Sequence, residues 1–138
     1  MSLSERIDAI ESGYEFMLAY AAQGRDTDRD ASGSGAGFQL REFLHKMEAA
    51  LDGLGAAVRS AVEGQPADLG PAGAFLDAVD DDARKALGLI RLVMAQPDVS
   101  SMLIDNVNAS IHLRALLTDL FVIDEAFKAS RKDAQAGP

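Results

Sequence analysis

The chain has 138 residues and a mass of 14.6 kDa, which is enough for one ordinary domain and too little for two well-packed ones. It contains 48% hydrophobic and 25% charged residues, a composition typical of globular proteins rather than of disordered, fibrous or membrane proteins. Its formal net charge of -9 is opposite in sign to the basic surfaces that bind nucleic acid or anionic membranes, and the lack of cysteine excludes disulfides, thiolate metal sites and cysteine nucleophiles.

The N-terminal segment carries no predicted targeting signal. Glu5, Arg6 and Asp8 interrupt the apolar run that a signal peptide needs. No apolar run in the sequence approaches the roughly 20 residues that span a bilayer. Together with the missing cysteines, these features lead us to expect a cytoplasmic protein that does not bind membranes or nucleic acid.

The first predicted helix begins at Ser2 and ends near Gly24. Ser2 and Glu5 have the S-x-x-E spacing of a capping box. The apolar residues that follow alternate in spacing between four and three, which places them on one helix face. They are Leu3, Ile7, Ile10, Tyr14, Met17 and Ala21. Phe16 lies about 140° from the centre of this stripe at ~100° per residue, on the side that we expect to be exposed.

Residues 25–37 are rich in charge, glycine and serine, and we predict a flexible linker there. Asp26, Asp28 and Asp30 have the opening pattern of a calcium-binding EF-hand loop. The glycine and the glutamate that such a loop requires at its sixth and twelfth positions are absent. We therefore interpret the acidic run as part of a solvated spacer.

The second predicted helix spans residues 38–62 and repeats the alternating apolar spacing. Gly53 and Gly55 in its second half indicate either a close approach of another helix or a frayed end. Glu42 and His45 have the Glu-x-x-His spacing found in di-iron bundles. Both lie on the face away from the apolar stripe, so we predict no metal site.

Residues 72–96 form the next predicted helical region. Pro71 is well tolerated in the first turn of a helix, whereas the consecutive aspartates at 80–82 favour the start of a helix over its interior. The pattern predicts either one kinked helix or an extra short helix near residues 71–80 followed by a longer one. We favour the second arrangement.

The last predicted helix, over residues 100–128, is apolar on two faces. A helix that is apolar almost all round is typical of the centre of a bundle or of a subunit interface. A soluble monomer rarely exposes such a face, and a two-fold dimer is the commonest way to cover it. We therefore predict a homodimer; the competing prediction is that one chain buries both faces. The predicted interface contains Leu103, Val107, Ile111, Phe121, Val122 and Phe16.

A narrow polar strip remains on this last helix. Asp105, His112 and Asp119 are seven residues apart, so they stack along one line of a continuous helix with Asn108 beside them. We assign these four residues as candidate ligand-binding groups. The alternative interpretation is that the strip is the solvent-exposed edge of a buried helix.

These segments predict an all-α fold: an antiparallel bundle of four main helices, plus the short one, in a single domain over residues 1–138. The tail at residues 129–138 is expected to be frayed. No catalytic residue, metal or cofactor is predicted, since no base stands beside a nucleophile. We expect a non-catalytic interaction protein, an adaptor, accessory or regulatory subunit. The alternative is a small-ligand-binding or weakly enzymatic bundle whose pocket the polar strip lines.

Overall fold

The structure, a computed structural model, describes residues 1–29, 35–63 and 72–135, with side chains up to Phe127. Six α-helices and no strand occur in this part of the chain. The helices are α1 (Leu3–Ala21), α2 (Ala36–Leu51), α3 (Leu54–Glu63), α4 (Gly73–Met94), α5 (Ser101–Ala109) and α6 (Ile111–Gln135). The prediction of an all-α fold is confirmed.

The start of α1 has the predicted capping box. The Ser2 hydroxyl accepts a hydrogen bond from the Glu5 N–H at 3.0 Å, and the Glu5 carboxylate accepts one from the Ser2 N–H at 3.3 Å. These bonds satisfy donors that every helix start leaves free. The bond from the Ser2 backbone is the main reason that the pKa of Glu5 is lowered. Within the predicted stripe, Ile10 and Met17 are fully buried and the other members are partly buried.

The helix predicted over residues 38–62 is divided into α2 and α3. Asp52 is extended with ψ of 115°, and Gly53 has a φ of 78°, a left-handed conformation that residues with a Cβ rarely adopt. The Arg6 guanidinium of α1 donates to the carbonyls of Ala50 and Asp52 at 2.9 and 2.7 Å. A helix end needs such donors because its last carbonyls have no partner within the helix.

The short helix predicted near residues 71–80 is not a separate element, because residues 73–80 belong to α4 and Ala72 is its N-cap; residue 71 lies outside the described residues. α4 continues through the three consecutive aspartates. The Asp80 carboxylate pairs with the Arg84 guanidinium one turn later, at 3.0 Å. Pairing at this spacing supports a helix and offsets the poor helix propensity of aspartate.

The helix predicted over residues 100–128 is divided at Ser110 into α5 and α6. Its start is as predicted, since the Ser100 hydroxyl accepts a hydrogen bond from the Leu103 N–H at 3.0 Å. Ser110 leaves the helical conformation with ψ of 143°, and its hydroxyl accepts a hydrogen bond from the His112 N–H at 3.3 Å. A serine that bonds to nearby backbone in this way competes with helix continuation. Residues of α5 and α6 therefore do not share one helix face.

Two pairs of helices run antiparallel, α1 with α2 and α2 with α4. Arg6 near the start of α1 reaches Asp52 after the end of α2, and Arg41 near the start of α2 reaches Gln96 after the end of α4. All six helices contribute to one core, which is consistent with a helical bundle. The largest fully buried side chains are Ile10, Met17, Tyr20, Leu40, Leu44, Met47, Leu51, Leu54, Ile90, Ile104, Leu113 and Leu116.

A hydrogen-bond network, which we name the polar joint, consists of Tyr20, Asp28, Arg41, Val99 and Ser101. The Asp28 carboxylate accepts hydrogen bonds from the Arg41 guanidinium and from the Val99 N–H, both at 2.7 Å. The Tyr20 hydroxyl donates to the Val99 carbonyl, and the Ser101 hydroxyl donates to the Tyr20 carbonyl, again at 2.7 Å. Burial by itself raises the pKa of Asp28, but these hydrogen bonds outweigh burial and the pKa is lowered.

The predicted linker at residues 25–37 contributes Asp28 to the polar joint, while residues 30–34 lie outside the described part of the chain. A Cβ on Gly37 would be 1.8 Å from the backbone carbonyl oxygen of Asp28, so this position requires glycine. Because the backbones of Asp28 and Gly37 lie close together, the start of α2 packs against the polar joint.

The predicted tail at residues 129–138 lies partly within α6, whose backbone continues to Gln135. Residues 136–138 and all side chains beyond Phe127 lie outside what the structure describes. The fraying of the tail and the flexibility of the linker stay predictions.

Candidate interaction surface

The four residues of the predicted polar strip are divided between two helices. Asp105 is exposed and Asn108 buried on α5, whereas His112 and Asp119 are half-buried on α6. The turn at Ser110 removes the continuous helix on which the strip depended. His112 and Asp119 do share α6, but their seven-residue separation amounts to about 10 Å of helical rise. The structure therefore does not gather the four side chains into one cluster.

Asn108 connects α5 to α1. Its side-chain amide nitrogen donates to the Met17 carbonyl at 3.1 Å, in a buried position. This bond satisfies the amide nitrogen, whereas the buried Asn108 Oδ1 atom has no hydrogen-bond partner among the described residues. The sequence placed Asn108 in a ligand-binding strip; the structure places its amide in a helix–helix contact.

Asp119 meets Asp82 of α4, a contact that the sequence analysis did not predict. Burial, a hydrogen bond with the Asp82 carboxyl and the charge of Asp82 together raise the pKa of Asp119 to about 7, and burial contributes most. When two carboxyl groups are in contact, ionising both is unfavourable because their negative charges repel each other. The pair therefore favours a state in which the two groups share one proton. The Asp119 Oδ2 atom is buried and has no hydrogen-bond partner among the described residues. From the sequence, the aspartates at 80–82 were expected to favour the start of a helix.

The predicted interface residues fall into an exposed group and a packed group. Ile111, Phe121 and Val122 of α6 expose 65%, 52% and 52% of their surface. Ile111 and Val122 lie about 20° apart around the helix at ~100° per residue. The exposed group therefore occupies the outward side of α6.

The packed group consists of Leu103, Val107 and Phe16. Val107 is 4% exposed, and Leu103 and Phe16 pack against the core. The prediction that Phe16 faces solvent is wrong, because its ring stacks on Phe43 of α2 with 4.6 Å between the ring centroids. Aromatic stacking of this kind stabilises the contact beyond the area it buries.

Among the described residues, neither of the two metal-binding patterns considered in the sequence is brought together into a site. Glu42 and His45 are both exposed on α2, and Asp28 is held by Arg41. Asp30 lies outside the described residues. In the described part of the chain, no group of three or more His, Asp or Glu side chains is placed to hold a metal ion.

Two adjoining clefts between α1 and α6 form one groove, which the sequence analysis missed. They share Leu3, Ile7, Leu120 and Asp124. One cleft extends along α1, and the other extends towards α3. We name their combined surface the α1–α6 groove; its further lining residues are Ser4, Asp8, Glu11, Val58, Ala61, Val62, Phe121, Ile123 and Phe127.

A signal for the groove was present in α1. Asp8 and Glu11 follow Leu3 and Ile7 in the sequence and lie to one side of them around the helix at ~100° per residue, which is the pattern of an apolar surface with an acidic edge. The spacing of Leu3 and Ile7 matches the core stripe, and spacing alone does not reveal whether a neighbouring helix covers a position. The structure leaves both residues only partly buried.

Comparison with known proteins finds no matching family, no similar curated protein and no similar solved structure. Among the helices that the structure describes, none is both long enough and apolar enough to cross a bilayer.

Proposed function

We propose that this protein is a non-catalytic interaction protein, an adaptor, accessory or regulatory subunit that acts through its helix surfaces. One observation carries the proposal: α6 directs three large apolar side chains outward, those of Ile111, Phe121 and Val122. Several large apolar side chains exposed on one side of a helix mark a binding site more often than a single exposed residue does. The absence of cysteine from the sequence and the presence of only two histidines agree with a role that does not depend on nucleophilic or acid–base catalysis.

We further propose that the outward side of α6 pairs with a second copy of the chain. The turn at Ser110 and the burial of Val107 reduce the predicted interface to Ile111, Phe121 and Val122, so α6 rather than α5 supplies it. A two-fold axis beside α6 brings the same face of both copies together. We also propose a cytoplasmic location, for which the lack of cysteine is the support.

The small-ligand-binding or weakly enzymatic alternative ranks second. Its four polar residues stand on two helices, and Asn108 already bonds to α1. The remaining support is Asp119, whose half-buried carboxyl contacts Asp82. A bound ligand that protects Asp119 or His112 in a nuclear magnetic resonance titration would favour this alternative.

Sedimentation equilibrium at micromolar concentrations tests the dimer. We expect the wild-type chain to have twice the 14.6 kDa mass of one copy, and Val122→Asp to have the mass of one copy. Burying an unpaired charge at an interface is costly, which is why one substitution suffices. Leu92→Asp is the matched control, because Leu92 is 59% exposed on α4 and lies outside the proposed face.

A wild-type mass of 14.6 kDa at every concentration would refute the dimer. An equal loss of mass in Val122→Asp and Leu92→Asp would show that α6 is not the interface. Circular dichroism of both variants checks that each has kept its helices.

A further inference from the structure

The α1–α6 groove has an apolar floor and open space above it. Leu120 is almost fully buried at the base, Leu3 and Ile7 are partly buried, and Phe121 is 52% exposed at the edge. The cleft towards α3 has a volume of about 60 Å³ and the cleft along α1 about 340 Å³, the latter near the lower end of the ~300–1,000 Å³ of small-molecule pockets. The cleft along α1 is open to solvent rather than enclosed, so the groove is suited to apolar side chains that a larger partner presents from outside.

The rim of the groove is acidic. Asp8, Glu11 and Asp124 line it, and no basic side chain lines either cleft in the described part of the chain. The cation nearest along α1, Arg6, is directed to the carbonyls at the end of α2. A partner therefore meets an apolar floor between negative edges, in a chain whose formal net charge is -9.

This combination selects among possible occupants. A second copy of this acidic chain, an anionic membrane and a nucleic acid all bring further negative charge to a negative rim. The groove follows α1 from Leu3 to Glu11, about 12 Å at ~1.5 Å per residue, which is the length of two turns of a partner helix. An amphipathic helix places its apolar anchors at such spacings and carries its polar residues on both flanks.

We propose that the α1–α6 groove binds an amphipathic helix of another protein, with apolar residues facing the floor and lysine or arginine on both flanks. The inference rests on the proposed function only in treating the chain as an interaction protein. The groove and the outward side of α6 are different surfaces that share only Phe121, so each can be tested without the other.

The test uses the full chain and three synthetic helical peptides of the same length. The first has leucine at helical spacing and lysine on both flanks, the second has glutamate in place of lysine, and the third has serine in place of leucine. Nuclear magnetic resonance titration measures affinity and locates the contact. We expect the first peptide to bind with a dissociation constant on the order of 10 to 100 μM, because the interface is small, with shifts confined to residues that line the groove. The other two are expected to bind at least about tenfold more weakly.

Charge reversal provides the matched variants. The double substitution Asp8→Lys and Glu11→Lys is expected to weaken binding of the lysine peptide about tenfold, because two attractive charge pairs become repulsive. Glu42→Lys with Asp81→Lys changes the net charge equally at exposed sites on α2 and α4, and we expect it to leave the affinity nearly unchanged.

Several results would overturn the groove proposal. The proposal would be contradicted if the lysine peptide did not bind, or if the serine or glutamate peptide bound as tightly as the lysine peptide. It would also be contradicted if the signals that shift belonged to residues outside the groove, or if the two pairs of charge reversals changed the affinity equally. Shifts of Leu3, Ile7 and Asp8 with protein concentration alone would show that a second copy occupies the groove, because these residues lie outside the proposed dimer face. Val122→Asp separates the two proposals, because it is expected to abolish the dimer while the lysine peptide still binds.

Discussion

The polar joint and the α1–α6 groove lie at opposite ends of α1, and they differ in how completely their surfaces are covered. At the joint, Tyr20 is fully buried and its hydroxyl is bonded to the Val99 carbonyl. At the groove, Leu3 and Ile7 are only partly buried. The two ends of one amphipathic helix therefore differ: Tyr20 near the C-terminal end is covered by the polar joint, whereas Leu3 and Ile7 near the N-terminal end keep apolar surface accessible.

The turn at Ser110 accounts for this difference. Before the turn, α5 contacts the C-terminal half of α1 through Asn108 and Met17. After the turn, α6 runs beside the N-terminal half of α1 and leaves the groove between them. A continuous helix could not change direction in this way, because its axis bends only gently. One break in a helix therefore separates a stabilising contact from an open surface.

The largest expected effect breaks the polar joint. The Asp28 side chain is 4% exposed and pairs with Arg41, and removing one member of a buried pair costs about 3–5 kcal/mol. We expect Asp28→Ala to lower the free energy of unfolding by that amount, measured by urea denaturation at pH 7. Arg29→Ala is the control, because its pair with Asp98 joins side chains that are 66% and 49% exposed, and such pairs contribute about 0–1 kcal/mol. Equal losses in the two variants would show that the joint contributes no special stability.

A smaller effect is expected where α2 approaches the joint. Gly37→Ala places a Cβ 1.8 Å from the Asp28 carbonyl oxygen, and overpacking of this kind costs about 1–3 kcal/mol. Gly88→Ala is the control: nothing lies within 4 Å of its added Cβ, so the substitution is expected to stabilise α4 by up to about 1 kcal/mol. Thermal unfolding of both variants measures the contrast. If Gly37→Ala leaves the unfolding temperature unchanged, the chain around Asp28 can move away from the added Cβ without a loss of stability.

The smallest expected effect concerns the contact between α4 and α6. The pKa of Asp119 is about 7 in the folded protein against a usual value of 3.8, so the folded state holds more protons than the unfolded state between these values. The stabilisation that the Asp119 carboxyl contributes is therefore present at low pH and is lost as the pH rises from 3.8 to about 7. After allowance for solvent screening, we expect the wild-type chain to lose on the order of 1 kcal/mol between pH 5 and pH 8.

Asp119→Asn is expected to flatten this pH dependence, and the exposed Asp105→Asn to leave it unchanged. Urea denaturation at pH 5 and pH 8 makes the measurement. The pKa values of Asp28 and Asp98 are lowered, so their contributions are lost only as the pH falls towards 4 and below and do not interfere. A wild-type chain more stable at pH 8 than at pH 5 would contradict the assignment of the shared proton to Asp119 and Asp82.

The sequence indicates many of the individual residues of the candidate site, but it does not indicate which of them lie next to one another. The acidic positions Asp8 and Glu11 and the exposed positions Ile111, Phe121 and Val122 were all recognisable from helical spacing. Spacing places a residue on a helix face, but it does not state which neighbouring helix covers that face. For this reason Phe16, predicted to be exposed, packs on Phe43, and Asp119, predicted to line a strip with His112, meets Asp82 instead.

The sequence by itself determined the all-α class, the capping box at Ser2 and the burial of Ile10 and Met17, because helix periodicity and caps depend on residues within a few positions of one another. Tertiary structure decided the turn at Gly53, the polar joint between Asp28 and Arg41, and the opening of the α1–α6 groove. At Gly53, Arg6 supplies hydrogen-bond donors from another helix. Such contacts join residues far apart in the chain, and their strength depends on burial and geometry that no local pattern contains.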